Sequence, residues 1–341
     1  MLGHCLISTD DRDKPLEPEK KYIVDAGRSA HDDCTGIVVT YAPEITIFET
    51  QIRALCAQLG LVINVDNGSG PGFRKFLAGI QQSHVWVQVV LLDKNYGIAY
   101  AQNRGLELAK CSGRRYALFL DHDSIPTPNL VSGLYAAAES LRAQGVRLAA
   151  VGARLIDPRS GRENGFYRMR KWRWERLCCE DGYAGLIACG YLNSSGSLHP
   201  LDAMVHVGGF DESFFIDHVD TDWFMRARAM GYKAYGVCSA VLVHHMGNFI
   251  IRYWFFGWRL MPHRSPSRHY FIVRNAFWLY RRPYVPFFWK INNLFKIVFT
   301  LLYFGLFDRE RGQQARMILR GAWDGITARG QPDRGQRTWQ Q

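Results

Sequence analysis

The chain has 341 residues, 48% of them hydrophobic, which is enough to bury the core of one large α/β domain with an appendage. Its net charge of +11 is concentrated at one end: residues 250–341 contain sixteen Lys or Arg and four Asp or Glu, a balance of +12, so residues 1–249 sum to −1. This asymmetry predicts a polyanionic partner for the C-terminal quarter, either nucleic acid or an anionic membrane surface.

Cysteine usage and hydropathy bear on the compartment. The eight cysteines show no C-x-x-C spacing and several lie in apolar runs, so we expect buried thiols in a reducing compartment rather than a zinc site. Residues 10–21 are densely charged and lack the apolar core of a signal peptide, and no run of 18 uncharged apolar residues occurs. These features predict a protein of the cytosol or of the inner face of a membrane.

An α/β pattern follows a charged lead-in over residues 1–34. Short β-branched or apolar runs alternate with segments whose apolar residues recur every three or four positions, which predicts a mainly parallel sheet with right-handed crossovers. Residues 158–185 resemble a surface insertion, and a helix is expected at 220–230. The predicted strands are 36–41, 61–65, 85–92, 116–120 and 148–151, and the predicted helices between them are 45–59, 98–109 and 129–141.

Polar side chains stand where several predicted strands end. Tyr41, Asp66, Asn67 and Asp121 all occupy such positions. The carboxyl ends of parallel strands share one edge of a sheet, and ligands of open α/β sheets bind at that edge. We therefore expect these side chains to face one crevice.

Asp121-His122-Asp123 follows the apolar run 117–120. Two carboxylates two residues apart can offer oxygens to one hard cation whose other ligands are diphosphate oxygens and water. Such a cation acts as a Lewis acid towards a leaving nucleoside diphosphate. The alternative is a solvated turn in which Asp123 caps the next helix.

Asp66-Asn67-Gly68-Ser69 is the second polar strand end. Its aspartate can accept a hydrogen bond from the N3–H of a pyrimidine, and its glycines let backbone approach a nucleotide. A plain Asx turn is the alternative. Neither a G-x-G-x-x-G nor a P-loop pattern occurs, which argues against dinucleotide and P-loop enzymes.

The third motif surrounds the start of the predicted helix at 98. Asn95 and Gly97 precede it, and Asn103 with Arg104 lies inside it. Free N–H groups at a helix start favour a phosphate. Alternatively, these residues form only a helix cap and a surface arginine.

Asp217, Asp220 and Asp222 cluster at another predicted helix start. Displacement of a nucleoside diphosphate by a hydroxyl also needs a base in the crevice, and this is the other acidic cluster suited to that role. Each carboxylate alone can simply complement the helix dipole. His244 and His245 follow a further apolar run and can complete the coordination of a metal such as manganese.

These motifs, in this order, resemble the inverting family 2 glycosyltransferases, particularly bacterial rhamnosyltransferases of O-antigen and exopolysaccharide assembly. The resemblance covers about residues 36–250. Its matching stretches are Val38–Tyr41, Val65–Ser69, Asn95–Asn103, Asp121–Asp123, Ser195–Leu198, Gly208–Glu212, Phe215–Asp222 and the H-x-x-G at His244–Gly247.

The resemblance implies a GT-A fold: a mainly parallel, Rossmann-like sheet flanked by helices. It implies an inverting transfer of a sugar, with L-rhamnose favoured, from a dTDP- or UDP-sugar to a saccharide acceptor that is lipid-linked. Asp220 would be the base, with Asp222 and Asp217 as alternatives because Val219 stands where the family often has an acidic residue. Mn²⁺ or Mg²⁺ would be held by Asp121, Asp123 and His244, with His245 as alternate. Donor-binding residues would be Thr40, Tyr41, Asp66, Asn67, Ser69, Asn95, Gly97, Asn103, Asp121, His122 and Asp123, and the sugar or acceptor pocket would include Ser195 and Gly196.

A boundary near residue 248 separates a catalytic domain, 35–248, from a basic, aromatic-rich helical region, 249–341. Residues 287–307 are apolar but contain Lys290 and Lys296, which favours an amphipathic helix in the interface of an anionic membrane, with Trp254, Trp258, Trp278 and Trp289 at interfacial depth. An oligomerisation element is the alternative for this helix. For the whole chain, a nucleic-acid-binding protein and a sugar-nucleotide pyrophosphorylase are the alternatives, although no nucleic-acid motif and no Gly-rich phosphate loop after the first strand is found.

Overall fold

The computed structural model describes residues 30–158, 161–169, 174–179, 185–244, 250–254 and 258–327. The helices are α1 Ala30–Asp33, α2 Ile45–Cys56, α3 Pro71–Ser83, α4 Ile98–Cys111, α5 Leu130–Ala143, α6 Leu201–Val207, α7 Val219–Ala229, α8 Pro266–Tyr280, α9 Phe287–Phe307 and α10 Arg311–Thr327. The strands are β1 Cys34–Thr40, β2 Val62–Asp66, β3 Val87–Leu91, β4 Tyr116–Asp121, β5 Ser124–Pro126, β6 Leu148–Asp157, β7 Arg162–Glu163, β8 Phe166–Met169, β9 Trp174–Leu177, β10 Leu186–Cys189, β11 Ser197–Pro200, β12 Lys233–His244, β13 Ile250–Trp254 and β14 Trp258–Pro262.

One half of the main sheet is parallel, in the order β3-β2-β1-β4. Every residue of β1 and β2 is buried, as expected for strands covered by helices on both faces. Thr40 pairs with Asp66, and Val39 with Asp121, so the ends of β1, β2 and β4 reach one edge of the sheet. The α/β expectation is confirmed in this half.

The other half continues in the order β11-β6-β12-β10 beyond β4. Here β6 and β12 are parallel to each other, whereas β11 is antiparallel to both of its neighbours, β4 and β6. The alternating pattern of the sequence did not predict β11, because a four-residue strand carries too little periodicity to be identified. This strand matters for the site, because Ser195 and Gly196 immediately precede it.

The helix α3 is also absent from the predicted helices, because the glycine-rich stretch at 68–72 is typical of a turn. It begins at Pro71, whose missing N–H costs nothing in the first turn of a helix. Phe73, Leu77 and Ile80 are buried in the same core cluster as the strands. The spacing of these three residues, four and three apart, was the signal that predicts this helix.

A disulfide that the sequence does not predict links the insertion to β12. Cys179 and Cys238 are bonded, with their Cα atoms 5.6 Å apart. The expectation of free thiols is therefore wrong for this pair, which lies 59 residues apart in the sequence. Cys34, Cys56, Cys111 and Cys189 carry free thiols.

The chain divides into two compact units. The first comprises residues 1–96, 100–209 and 223–245, and the second comprises 97–99, 210–222 and 246–341. The second unit therefore includes the acidic segment at 210–222 in addition to the C-terminal region. The 35–248 and 249–341 domain limits remain predictions.

In the second unit, α8, α9 and α10 share a small core of Val273, Ala276, Ile297 and Ile318. A Cβ at Gly321 would lie 2.5 Å from the carbonyl oxygen of Tyr270, so glycine permits the close approach of α10 to α8. Within the described residues, α9 is the one helix long and apolar enough to cross a membrane, judged by length and composition alone.

Candidate active site

Asp121, Asp123 and His244 lie together at the end of β4. Their ligand atoms are all within 4.8 Å of one another, and all three side chains are partly buried. His244 comes 120 residues after Ser124, and the antiparallel pairing of β5 with the end of β12 places them opposite each other. The predicted trio is thus brought together by sheet pairing. His245, the alternate ligand, lies outside the described residues.

Two buried side chains hold the turn that carries the carboxylates. The amide nitrogen of Gln51 donates to the carbonyl oxygens of Asp121 and Ser124, each at 2.6 Å. The hydroxyl of Ser195 accepts from the backbone N–H of Asp121 at 3.0 Å and lies 2.9 Å from the hydroxyl of Ser124. Gln51 is fully buried, and sequence reasoning missed it. Its signal was a polar residue on the apolar face of α2, beside Phe48 and Ile52.

This donor set fits a divalent cation. Carboxylate oxygens suit Mg²⁺ and Mn²⁺, and an added imidazole favours a transition metal such as Mn²⁺. Nδ1 of His244 lies 2.7 Å from the hydroxyl of Ser124 and 3.4 Å from a carboxylate oxygen of Asp123. A hydrogen bond from a neighbouring group to the imidazole fixes the orientation of a ligating histidine, and Ser124 supplies such a contact here.

The predicted nucleotide turn at the end of β2 is held by hydrogen bonds among its own polar groups. One carboxylate oxygen of Asp66 accepts from the hydroxyl of Thr40 at 3.2 Å, and the other accepts from the N–H of Ser69 at 3.1 Å. The hydroxyl of Ser69 accepts from the N–H of Ala42 at 2.9 Å. Arg74 donates to the carbonyls of Ser69 and Leu92, joining the ends of β2 and β3. Asp66 therefore fixes the backbone beside Tyr41.

Asn67 and Asn95 also contact each other. The amide nitrogen of Asn67 donates to the amide oxygen of Asn95 at 3.0 Å, and the amide oxygen of Asn67 accepts from the N–H of Tyr96 at 2.9 Å. Gly68 has a φ of +88°, and a Cβ there would lie 2.4 Å from the backbone of Lys94. A glycine is therefore required for the two loops to approach this closely.

At the N-terminus of α4, one backbone N–H group is already hydrogen-bonded within the protein. The N–H of Ile98, expected to be available for a phosphate, donates to the carbonyl of Phe215 at 2.8 Å. Gly97 has a φ of +91°, and a Cβ there would lie 2.4 Å from that same carbonyl oxygen. Further along the helix, Asn103 lies against Gly209, whose Cβ would come within 2.7 Å of the asparagine amide oxygen.

The remaining residues predicted in the first unit also lie near the turn. His122 is part of the turn itself and is partly buried. Gly196 follows Ser195 with a φ of +81°, and a Cβ there would lie 2.7 Å from a methyl group of Leu242. Ser195 therefore supports the carboxylate turn through its hydroxyl, which bonds to the backbone of Asp121. Gly196 lets the chain lie close to Leu242 of the neighbouring strand β12.

The three candidate bases belong to the second unit, where they differ in environment. Asp217 accepts two hydrogen bonds from Arg268, at 3.0 and 3.2 Å. Asp222 is buried and accepts from the hydroxyl of Tyr284 at 2.6 Å. Asp220 lies in the first turn of α7 and is partly exposed.

Residues 37–188 match the model of Glycosyl transferase family 2, and that range contains both polar strand ends and the Asp121–Asp123 turn. The chain is a glycosyltransferase with a family 2 domain. It uses a nucleotide-sugar donor, and this identification leaves the nucleic-acid-binding and pyrophosphorylase alternatives without support.

This glycosyltransferase is similar to the dTDP-rhamnosyl transferase RfbF of Shigella flexneri, with 28% identity over 268 residues. The aligned region covers 78% of this chain and 85% of that protein. The structure of GalNAc-T7 with UDP, GalNAc and Mn²⁺ superimposes with a TM-score of 0.55 at 14% identity, covering 84% of this chain and 54% of that one. The Pyrobaculum calidifontis mannosyltransferase PcManGT, in complex with GDP-Man and Mn²⁺, gives a TM-score of 0.51 at 16% identity, covering 85% and 73%. These structural likenesses confirm the GT-A fold.

Replacing Gln51 by leucine is expected to loosen the carboxylate turn, because two buried carbonyls lose their donor. Loss of a group that orients metal ligands costs about tenfold or more in metal affinity. Calorimetric titration of dTDP in the presence of Mn²⁺ is expected to show this loss for Gln51→Leu and no metal-dependent binding for Asp123→Ala. The exposed Gln82→Leu is the matched control. Unchanged affinity in a folded Gln51→Leu protein contradicts the assigned role.

Proposed function

We propose that this protein is an inverting rhamnosyltransferase that transfers L-rhamnose from dTDP-rhamnose to a lipid-linked saccharide in cell-surface polysaccharide synthesis, such as that of O-antigen. The observation that carries the proposal is the convergence of Asp121, Asp123 and His244 at the sheet edge of a family 2 domain. The dTDP-rhamnosyl transferase relative supports the choice of donor.

The residues of the first unit divide into two proposed groups. The base and ribose are bound by Thr40, Tyr41, Asp66 and Asn67. Hydrogen bonds of Ser69 and Asn95 hold the loops that carry these residues. Asp121, Asp123 and His244 hold the divalent cation, Mn²⁺ or Mg²⁺, and the donor diphosphate. When bound, the cation neutralises negative charge on the diphosphate. Ser124, Ser195 and Gln51 keep the ligands in place.

Asp220 is the proposed general base. The hydroxyl oxygen of the acceptor bonds to the anomeric carbon as the bond from that carbon to the diphosphate breaks, and the hydroxyl proton passes to Asp220. Among the three candidates, Asp217 is paired with Arg268 and Asp222 is buried against Tyr284. A base must be accessible to the acceptor hydroxyl, and the partial exposure of Asp220 favours it.

The donor can be tested by thermal stabilisation. A ligand that binds only the folded state raises stability in proportion to RT ln(1 + [L]/Kd). In the presence of Mn²⁺ we expect dTDP-rhamnose to raise the Tm more than dTDP-glucose, UDP-glucose, UDP-GlcNAc or GDP-mannose, and EDTA to abolish the increase. A larger increase with another nucleotide-sugar would reassign the donor.

Asp220→Asn is expected to bind the donor with near-normal affinity and to lose turnover by at least 100-fold, since general-base catalysis contributes about 10²–10⁴-fold. Transfer from dTDP-rhamnose to a panel of octyl glycosides, used as soluble analogues of a lipid-linked saccharide, measures the rate as acceptor-dependent dTDP release. Asp217→Asn and Asp222→Asn are the comparison variants. A near-normal rate in Asp220→Asn contradicts the assignment of the base.

We also propose that α9 lies in the interface of an anionic membrane. Its length of 21 residues corresponds to about 31 Å, close to the hydrocarbon thickness of a bilayer. However, one face of α9 packs within the second unit through Trp289, Ile297 and Phe304, which are all buried. The one-sided burial favours a helix lying in the interface over one that crosses the membrane.

The opposite face of α9 is apolar and exposed. The exposed side chains recur at three- and four-residue spacings along one stripe: Ile291, Leu294, Phe295, Val298, Leu302 and Leu306. Leu319, Trp323 and Ile326 of α10 are exposed as well. The exposed cations Arg309, Arg311 and Arg316 lie between the two stripes in the sequence. Apolar side chains flanked by cations match the chemistry of an anionic lipid surface rather than that of a second protein copy. Trp289, by contrast, is buried rather than placed at interfacial depth.

Replacing Phe295 and Leu302 together by glutamate is expected to remove binding to vesicles of phosphatidylcholine with 30% phosphatidylglycerol, because charge enters the apolar stripe. Flotation of the wild-type protein should also weaken as salt screens the arginines. The control pair Val85→Glu and Val205→Glu changes exposed valines of the first unit. Two results would contradict membrane docking. One is wild-type protein that does not float with the vesicles, and the other is a double glutamate variant whose only change is from dimer to monomer.

A further inference from the structure

The loop before Asp220 contains two consecutive residues in a rarely used backbone conformation. Asp217 and His218 both have a φ of +62°. Left-handed backbone is unfavourable for residues other than glycine, and two in succession persist only where surrounding contacts hold them. Strain of this kind is common beside reacting groups, and here it lies two residues before the proposed base.

The amide of Asn275, on α8, holds this loop. Its nitrogen donates to the carbonyl oxygens of Ile216 and Asp217, at 2.8 and 2.9 Å. Both hydrogens of one amide are thus used on two successive carbonyls, at the point where the chain enters the left-handed conformation. Asn275 is fully buried, so water cannot substitute for it.

Arg274 determines which way the amide of Asn275 points. The guanidinium donates to the amide oxygen of Asn275 through Nε at 3.0 Å and through Nη2 at 2.9 Å. Arg274 is itself fixed over the ring of Trp278, 4.2 Å from its centroid. A rotated amide would place its oxygen against two carbonyl oxygens and its nitrogen against a cation, so only one orientation is favourable.

The loop leads directly into the helix that carries Asp220. The carbonyl of His218 accepts from the N–H of Asp222 at 2.9 Å, which is the first hydrogen bond of α7. The ring of His218 packs edge-on against Trp289, with centroids 5.7 Å apart. The direction in which Asp220 leaves the first turn of α7 therefore depends on the carbonyls that Asn275 holds.

We propose that Asn275, oriented by Arg274, is a positioning residue for Asp220. The proposal rests on the proposed function, because it requires that Asp220 be the base. It gives the helical C-terminal region a part in the transfer reaction in addition to its proposed membrane contact. It also accounts for a fully buried asparagine in the middle of α8.

The test is a double-mutant cycle with Asn275→Leu, Asp220→Asn and the double variant, assayed as acceptor-dependent dTDP release with the octyl glycoside that gives the highest rate. A misplaced catalytic group can cost about 10²-fold, so we expect Asn275→Leu to lower kcat at least tenfold. The KM for dTDP-rhamnose should change less than twofold. Because Asn275 acts through Asp220, the double variant should be no slower than Asp220→Asn alone.

The control is Asn292→Leu, since Asn292 also donates its amide to a carbonyl, that of Phe288 in its own helix. It should leave kcat within about twofold. Asn275→Ser, which retains one donor, enters the same cycle if Asn275→Leu does not fold. Unchanged kcat in a folded Asn275 variant, or effects that multiply in the double variant, would overturn the proposal. A near-normal rate in Asp220→Asn would instead overturn the assignment of the base.

Discussion

The pairing of β5 with the last residues of β12 is the constraint on which the proposed metal site depends. It places Ser124 opposite His244, and so joins an imidazole to two carboxylates that lie 121 and 123 residues earlier. The turn between β4 and β5 has no regular structure of its own to hold it. Its carbonyls and N–H groups are satisfied instead by Gln51 from α2 and by Ser195 before β11.

The buried amides of Gln51 and Asn275 act in the same way in the two units. Each donates to two backbone carbonyls of a segment beside a carboxylate with a proposed role, a metal ligand in one unit and the base in the other. A buried carbonyl without a donor costs about 1–3 kcal/mol, so an amide that serves two of them is a strong local constraint. The benefit is that flexible polypeptide near a reaction centre adopts one conformation, which is what positioning of reacting groups requires.

Helix α9 of the C-terminal region has one buried face and one exposed apolar face. One face of α9 is buried against its own unit, and the other exposes a stripe of large apolar side chains. The strained residues Asp217 and His218 contact this same region through Arg268 and Trp289. A segment that sequence composition marks only as basic and aromatic is thus also the support of the acidic loop.

The sequence by itself determined the alternating strands and helices, the strand-end positions of Asp66 and Asp121, and the helix over residues 287–307, because local periodicity carries that information. It did not predict the antiparallel β11, the Cys179–Cys238 bond, or the roles of Gln51 and Asn275. Those features were decided by tertiary structure: the disulfide and the hydrogen bonds of Gln51 and Asn275 join residues 58 to 73 positions apart, and β11 depends on which strands lie beside it. A single glutamine on an apolar helix face, or an asparagine beside an arginine, has no preferred partner until the fold brings carbonyls within hydrogen-bonding distance.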